Sequence, residues 1–378
     1  MKNFLLLILF AVLLACSEKT QETQSEAYDI PELLIRDSLV IDHLTKLYLI
    51  DVKSDRSEYL FFDFKSKDFL RVNKDGEVVF KANRSGDGPN SYKETYFYTA
   101  DYLDSDKILL LTYNFAFYYD LEFNLLEKRK LDFALDTRNV GGSRAAEVLE
   151  NQFYTFSIEV SDIDDVYRGE EFNIAYPFLT FRDQHSLAKT ADASIPEESQ
   201  IRKSPANYVN KDPLVLENGE GLWVLFPNSP ELYVFNRDSL SLKRTFSLEP
   251  NDTYKQILPP NPEIDFDGFL KELAASQYLS FAFSNDYLLT MYSGAAPQAE
   301  VDRLPKEYLG GPEFTDLADK YKTISYYQIF KEEKKLWEGT WDVRLSSIRN
   351  LIYSDAKPGE DPDAVEKDVQ TIYFYELK

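Results

Sequence analysis

Short runs of aromatic, Leu, Ile and Val residues recur between residues 37 and 378, separated by Asp, Asn, Ser, Lys and Gly. No heptad pattern is present, and few stretches follow a helical period, so these runs predict strands. Tyr48 to Val52, Tyr59 to Phe64, Phe69 to Val72 and Val78 to Lys81 give four in tandem. Asn73-Lys74-Asp75-Gly76 joins the last two, and Asp-Gly accepts the positive φ of a tight hairpin turn. Four strands in tandem form a meander, and a meander of this size leaves one face unburied.

The pattern returns along the chain. Lys107 to Leu131 can be laid beside Gly221 to Leu248: each carries an apolar strand, a polar break with Asn, an aromatic strand, and a third strand with a Lys-Arg pair. Tyr287 to Tyr292, Tyr326 to Lys331 and Leu336 to Trp341 make a weaker echo, and Phe172 to Phe181 another. Repeated meanders must stack to bury their faces, in a line or in a ring. The expected fold is all-β: a six-bladed β-propeller with short helical insertions. A two-sheet sandwich or one large barrel would also use many strands, but neither explains matched segments returning in the same order. The 342 residues after residue 36 divide into about 57 per blade for six, or about 49 for seven. Insertions at 254–275 and 295–322 favour six. Thr371 to Leu377 and Leu39 to Asp42 are expected to share one blade and close the circle, which removes exposed edges. Asp267 can cap a helix over Gly268 to Tyr278, and Pro305 to Tyr321 reads as a second. Both helices fall in the insertions.

The N-terminus carries an address. Lys2 precedes an apolar run from Phe4 to Ala15, too short to span a bilayer but suited to a signal-peptide core. The run ends in Leu13-Leu14-Ala15-Cys16, which resembles the bacterial lipobox. That resemblance implies removal of residues 1–15 and lipidation of Cys16, which would hold the chain on the bacterial cell envelope through a stable lipid anchor. Ser17 after the cysteine resembles the outer-membrane class. An ordinary secretory signal or an N-terminal anchor helix would use a similar run. Residues 16–36 then make a lipidated, polar tether, and 37–378 the propeller domain. Cys16 is the only cysteine, so the mature domain is expected to fold without disulfides.

Composition narrows the function. With 65 acidic against 42 basic residues the formal charge is −23, which argues against a nucleic-acid partner and against adsorption on an anionic membrane surface. The 27 Phe, 26 Tyr and 3 Trp exclude a disordered chain. Two histidines and two methionines leave little for metal or imidazole chemistry, and no cofactor or metal is expected.

Gly86-Asp87-Gly88-Pro89-Asn90-Ser91-Tyr92 follows the first meander. It resembles the G-x-G-P-x-x-Y loop of six-bladed propeller lipoproteins of Bacteroidota, of the TolB-like propeller class, with Asn90 where glycine is usual. The resemblance implies an envelope-anchored propeller and no established activity.

Candidate chemistry is sparse. His43 and His185 lie in no nucleophile motif, and both read as structural or solvated. Glu263-Ile264-Asp265-Phe266-Asp267-Gly268 resembles half of an EF-hand loop, but Ala274 stands where the closing Glu belongs, and a helix N-terminus explains the same letters. The segments 161–165 and 101–106 read as solvated acidic turns. With so many carboxylates, sequence nominates no catalytic pair. The favoured function is a non-catalytic module that binds a ligand, an envelope protein or a glycan; the alternative is a carbohydrate-active hydrolase or lyase. Phe266, Phe269, Arg303, Lys306, Tyr308, Phe314 and Tyr321 are expected to line one rim, or else to pin the insertions to the blades.

Overall fold

In a computed structural model the described residues are 30–93, 97–103, 105–135, 146–149, 152–155, 157–159, 177–203, 213–219, 221–256, 266–305, 311–360 and 368–378. They contain six four-stranded sheets, each antiparallel throughout. The first is Tyr48–Val52, Glu58–Asp63, Asp68–Asn73 and Val78–Asn83, the meander expected from the pattern. The second runs Thr99–Leu103, Lys107–Leu111, Phe115–Asp120 and Leu125–Lys130, and the third Ala146–Leu149, Gln152–Thr155, Pro177–Asp183 and Lys189–Ser194. The fourth is Leu214–Asn218, Gly221–Leu225, Glu231–Phe235 and Leu242–Ser247; the fifth is Tyr278–Ser284, Tyr287–Ser293, Ser325–Lys331 and Lys334–Gly339. The sixth joins Ser346–Ile348, Leu351–Ser354 and Gln370–Leu377 to the first strand of the chain, Leu33–Ile41. Five sheets are described with their side chains throughout; in the third, the first two strands are described mainly as backbone.

Buried apolar clusters sit between consecutive sheets. Phe62, Phe69 and Ala82 of the first pack on Tyr102, Leu110 and Phe117 of the second. Similar clusters join the second to the third, the third to the fourth, the fourth to the fifth and the fifth to the sixth. Leu39, Ile372 and Phe374 of the sixth then pack on Leu49, Phe61 and Val72 of the first. The stack returns to its start and forms a ring, the architecture of a β-propeller. A sheet packed on both faces needs apolar residues at successive positions, and Glu58–Asp63 and Gly221–Leu225 are buried at every one. The outermost strands face water instead: Leu125–Lys130 has no fully buried residue.

Closure is by the expected pair of terminal strands. Leu33 to Ile41 run against Leu377 to Gln370, with a bulge between Ile35 and Asp37. The early strand starts at Leu33, ahead of the expected Leu39, because Glu32 and Lys378 still exchange backbone hydrogen bonds of 2.8 and 3.0 Å.

Two readings are corrected. The Lys-Arg pairs lie on fourth strands, not third, because Thr99–Leu103 and Leu214–Asn218 precede the matched segments as first strands. They do form solvated ion pairs, Arg129 with Glu127 and Arg244 with Glu333. Asp101 is likewise no solvated turn residue; it lies in a first strand and is fully buried. The helices are Phe266–Leu273 and Pro312–Lys322, with a short turn of helix at Gln298–Val301. The first is shorter than expected because the chain must already be extended at Tyr278 to open the fifth sheet.

Alternation within each sheet sorts the connections. Turns between first and second and between third and fourth strands fall at one end of the ring and span two to six residues. The turns between second and third strands, and every passage to the next sheet, fall at the other end. The long segments 84–98, 195–213, 248–277, 294–324 and 355–369 all leave from strand ends there and return to strand ends there.

Candidate functional site: the mouth at the long-connection end

The first strands of neighbouring sheets touch one another and surround the axis. At the long-connection end this axis opens into a cavity of about 600 Å³, within the range of small-ligand sites. Its wall comes from the starts of the first strands of sheets one, two, five and six, and from the loop after Ser354. Tyr48, Phe97, Tyr98 and Tyr353 supply aromatic surface; Ser346, Ser347 and Ser354 supply hydroxyls; Lys46, Arg344, Asp355 and Glu360 supply charge. Lys46 pairs with Asp355 at 3.1 Å, and its ammonium lies 5.7 Å from the centre of the Tyr48 ring. The Tyr48 and Phe64 rings stand at 90° with their centres 4.8 Å apart. Tyr48, Phe64, Leu44 and Tyr113 remain exposed at this end, an apolar fringe in a strongly acidic chain.

Deeper along the axis the cavity narrows to a second space of about 50 Å³ that shares Leu279, Ser280, Ser347 and Ile348 with the first and reaches Arg349. Ser347 Oγ is bonded to Ser280 Oγ and to the carbonyl of Phe281, at 2.9 Å for the latter. Arg349 donates from Nε to Asp51 Oδ1 at 2.7 Å and from Nη2 to Asp51 Oδ2 at 3.1 Å, with Asp101 Oδ1 at 3.9 Å. Asp51 also accepts the N–H of Tyr102 at 2.8 Å, and Asp101 accepts from Thr99 Oγ1 at 2.7 Å. These groups join the sixth, first and second sheets. Both carboxylates are fully buried, and the guanidinium with the fixed donors around them offsets the cost of burying them.

A second polar centre lies near the mouth. His43 Nε2 meets Asp63 Oδ2 at 3.0 Å, and Thr45 donates to the same oxygen. Burial opposes ionisation of Asp63, but hydrogen bonds from Thr45, His43 and Ser66 outweigh it and hold the carboxyl well below the usual carboxylate range. Asp63 also accepts the N–H groups of Lys65 and Ser66, so His43 serves a turn, as expected. His185 is exposed in the turn after Asp183, whose Oδ1 accepts its N–H at 3.1 Å. Among the described residues no group of His, Cys, Asp and Glu could hold a metal; Glu263 and Asp265 lie outside them, as do residues 161–165.

The two insertions do sit together at one end. Leu270, Leu273, Ala296, Val301 and Leu317 share a small core, and Phe314 and Tyr321 pack against it. Tyr321 donates to Glu300 at 2.6 Å. These two aromatics therefore pin the insertions. Arg303 is exposed beside Glu300, Glu313 and Lys320 in a groove of about 260 Å³. Phe266 and Phe269 lie in the helix backbone, with side chains outside the described residues; Lys306 and Tyr308 lie outside them altogether, as does Cys16. Lys322 at the end of the second helix donates to the carbonyls of Ala275 at 2.7 Å and Glu272 at 3.3 Å. Burial pushes its ammonium down to about 8, against the opposing charge of Glu272.

The G-x-G-P-x-x-Y loop proves to be mortar between the first two sheets. Tyr92 is buried among Phe69, Phe97 and Phe117. Asn90 accepts the N–H of Leu125 on its side chain and the hydroxyl of Tyr119 on its backbone, each at 3.1 Å.

No protein-family model matches the chain, and no curated protein matches it. Solved structures do. A member of the DUF4221 family from Bacteroides vulgatus is similar over 92% of this chain and 99% of its own, at 10% identity and a TM-score of 0.62. An exported protein of Bacteroides fragilis is similar over 93% and 98%, at 12% identity and a TM-score of 0.56. At that identity the likeness is one of fold, and the chain shares the β-propeller architecture of these Bacteroides proteins.

Proposed function

We propose that the chain is an envelope lipoprotein, lipidated at Cys16, whose six-bladed propeller is a non-catalytic module that binds a ligand or partner at the long-connection end. The observation that carries this reading is the cavity of about 600 Å³ at that end, with its aromatic and hydroxyl lining. Six sheets packed in a closed ring support the blade count. Export is supported by the exported Bacteroides fragilis structure and by the lipobox-like Leu13-Leu14-Ala15-Cys16. Among the described residues no helix is long and apolar enough to cross a membrane. The catalytic alternative draws less support: of the carboxylates lining the cavity, Asp355 is paired with Lys46.

Two experiments test the reading. Fatty-acid labelling of wild type and Cys16→Ala should mark only the former; equal labelling removes the anchor. Envelope capture and glycan arrays with the full chain should give hits that Ser346→Trp, which fills the cavity, abolishes. Identical hits for both proteins would move the binding surface elsewhere.

A further inference from the structure

We propose that the axial cavity takes a short acidic sugar, and that Arg344 reads its carboxylate. This rests on the binding role proposed above and names the ligand class. The argument starts from the segment Val343-Arg344-Leu345-Ser346, which enters the first strand of the sixth sheet. The Tyr327 hydroxyl donates to the carbonyl of Val343 at 2.8 Å and accepts the N–H of Leu345 at 3.0 Å. One buried hydroxyl therefore clamps the backbone on both sides of residue 344. Val343 and Leu345 are 8% and 5% exposed and pack in the cluster between the fifth and sixth sheets, while Arg344 and Ser346 are exposed; all four line the cavity.

Arg344 makes no ion pair or hydrogen bond among the described residues. Other arginines of this chain are held by acids. Arg71, Arg129, Arg244 and Arg349 each meet a carboxylate, as an excess of 65 acids over 42 bases leads one to expect. A guanidinium on a clamped backbone offers a planar fork that fits a carboxylate in two parallel hydrogen bonds. The same cavity is lined by a half-exposed aromatic ring, Tyr48, by the hydroxyls of Ser346, Ser347 and Ser354, and by the carboxylates of Asp355, which Lys46 neutralises, and Glu360. An aromatic face accepts the C–H face of a pyranose ring, while hydroxyls exchange hydrogen bonds with its hydroxyls. The formal charge of −23 repels long polyanions. A cavity of this size also admits only a few rings. Together these features select a short oligouronide, with one carboxylate on Arg344.

Calorimetric titration of the full chain with tetramers of galacturonate, glucuronate and mannuronate tests the idea, alongside their methyl esters, which keep the rings and lose the charge. At least one acidic tetramer should bind, and its ester about tenfold more weakly. Arg344→Gln should bind acid and ester alike, at the ester's level, and should melt as wild type does. Equal binding of acid and ester by wild type overturns the role of Arg344 and leaves a sugar-binding cavity standing. Full acid preference retained in Arg344→Gln does the same. Binding of none of the tetramers overturns the acidic-sugar assignment outright. The Ser346→Trp capture experiment still judges the broader reading.

Discussion

The two ends of the ring are built from the same six sheets and differ in almost everything else. At the short-turn end, four turns between third and fourth strands repeat one device. The side-chain oxygens of Asn73, Asp120, Asp183 and Asn236 each accept two backbone N–H groups of the following turn. A left-handed residue follows three or four positions on: Gly76, Phe123, Leu187 or Leu240. All four are buried, so the turn folds back under the sheet and closes that end. At the opposite end the device appears at Asp63, whose Oδ1 accepts the N–H groups of Lys65 and Ser66 ahead of the left-handed Lys67, and the longer connections are built differently. Long connections carry their own small core, exposed rings and unpaired charge. One end is a repeated structural solution; the other is where the chain differs from blade to blade, and there the cavity opens.

This contrast can be broken most severely at closure. Deleting residues 371–378 removes the strand that links Leu33–Ile41 to Leu351–Ser354, and the cooperative thermal transition should disappear in circular dichroism. A truncated chain that melts like the full one would show that the ring does not depend on that strand. Next in size is the axial pair. Arg349→Met leaves the buried Asp51 without its guanidinium and should cost about 3 kcal/mol in urea unfolding. A loss below about 1 kcal/mol would mean that water or another donor already carries the charge.

A smaller effect sharpens the comparison at the short-turn end. Gly76 has φ 87°, and a Cβ there would collide with the backbone carbonyl of Val40 in the strand that closes the ring. Gly76→Ala should lose about 2 kcal/mol. Replacing residues 297–320 of the long-connection end by a short linker should change the ring's own melting less than that.

The smallest effect is a pH dependence. Lys322 titrates near 8 when folded and near its ordinary value, above 10, when unfolded. Between those values the unfolded chain binds more protons, so stability rises with pH across that window. Relative to Lys322→Met, wild type should gain about 1–3 °C in Tm from pH 8 to 10. A flat difference would show that Lys322 stays hydrated in the folded protein.

How much of this could be read from sequence follows from the distance over which each feature is encoded. The first meander was legible because its strands and the Asp75-Gly76 turn are adjacent. The closing pair was legible because both terminal segments read as strands with nowhere else to go. The pairing of the insertions followed from counting two strands in 277–292, found as Tyr278–Ser284 and Tyr287–Ser293 around Asn285. The axial charges were not legible: Asp51 and Arg349 are 298 positions apart, and Asp101 sits in acidic letters that resemble a solvated turn. The choice between rim and pin stayed open for a related reason. Phe314 and Tyr321 look alike in sequence whether they face a ligand or a local core, and here they face Leu270, Val301 and Leu317. Arg344 was missed although a signal existed. Val-Arg-Leu-Ser alternates apolar and polar positions immediately before a strand, which marks Arg344 and Ser346 as facing one way.

Because Leu33 is the register partner of Leu377, synthesis order and ring order conflict. Leu33–Ile41 must wait until Gln370–Leu377 has emerged before it can pair, so the sixth sheet is completed after the other five have been made. Through that interval Leu34, Ile35 and Val40 are a β-prone edge with no partner, and even in the finished ring they stay exposed. Such an edge recruits other nascent chains. Arg36 and Asp37 interrupt it, and the bulge between Ile35 and Asp37 breaks its flat register. A charged pair beside a kink acts as a gatekeeper against intermolecular pairing. The irregularity in the closing strand thus protects a ring that stays unsealed until Gln370–Leu377 arrives.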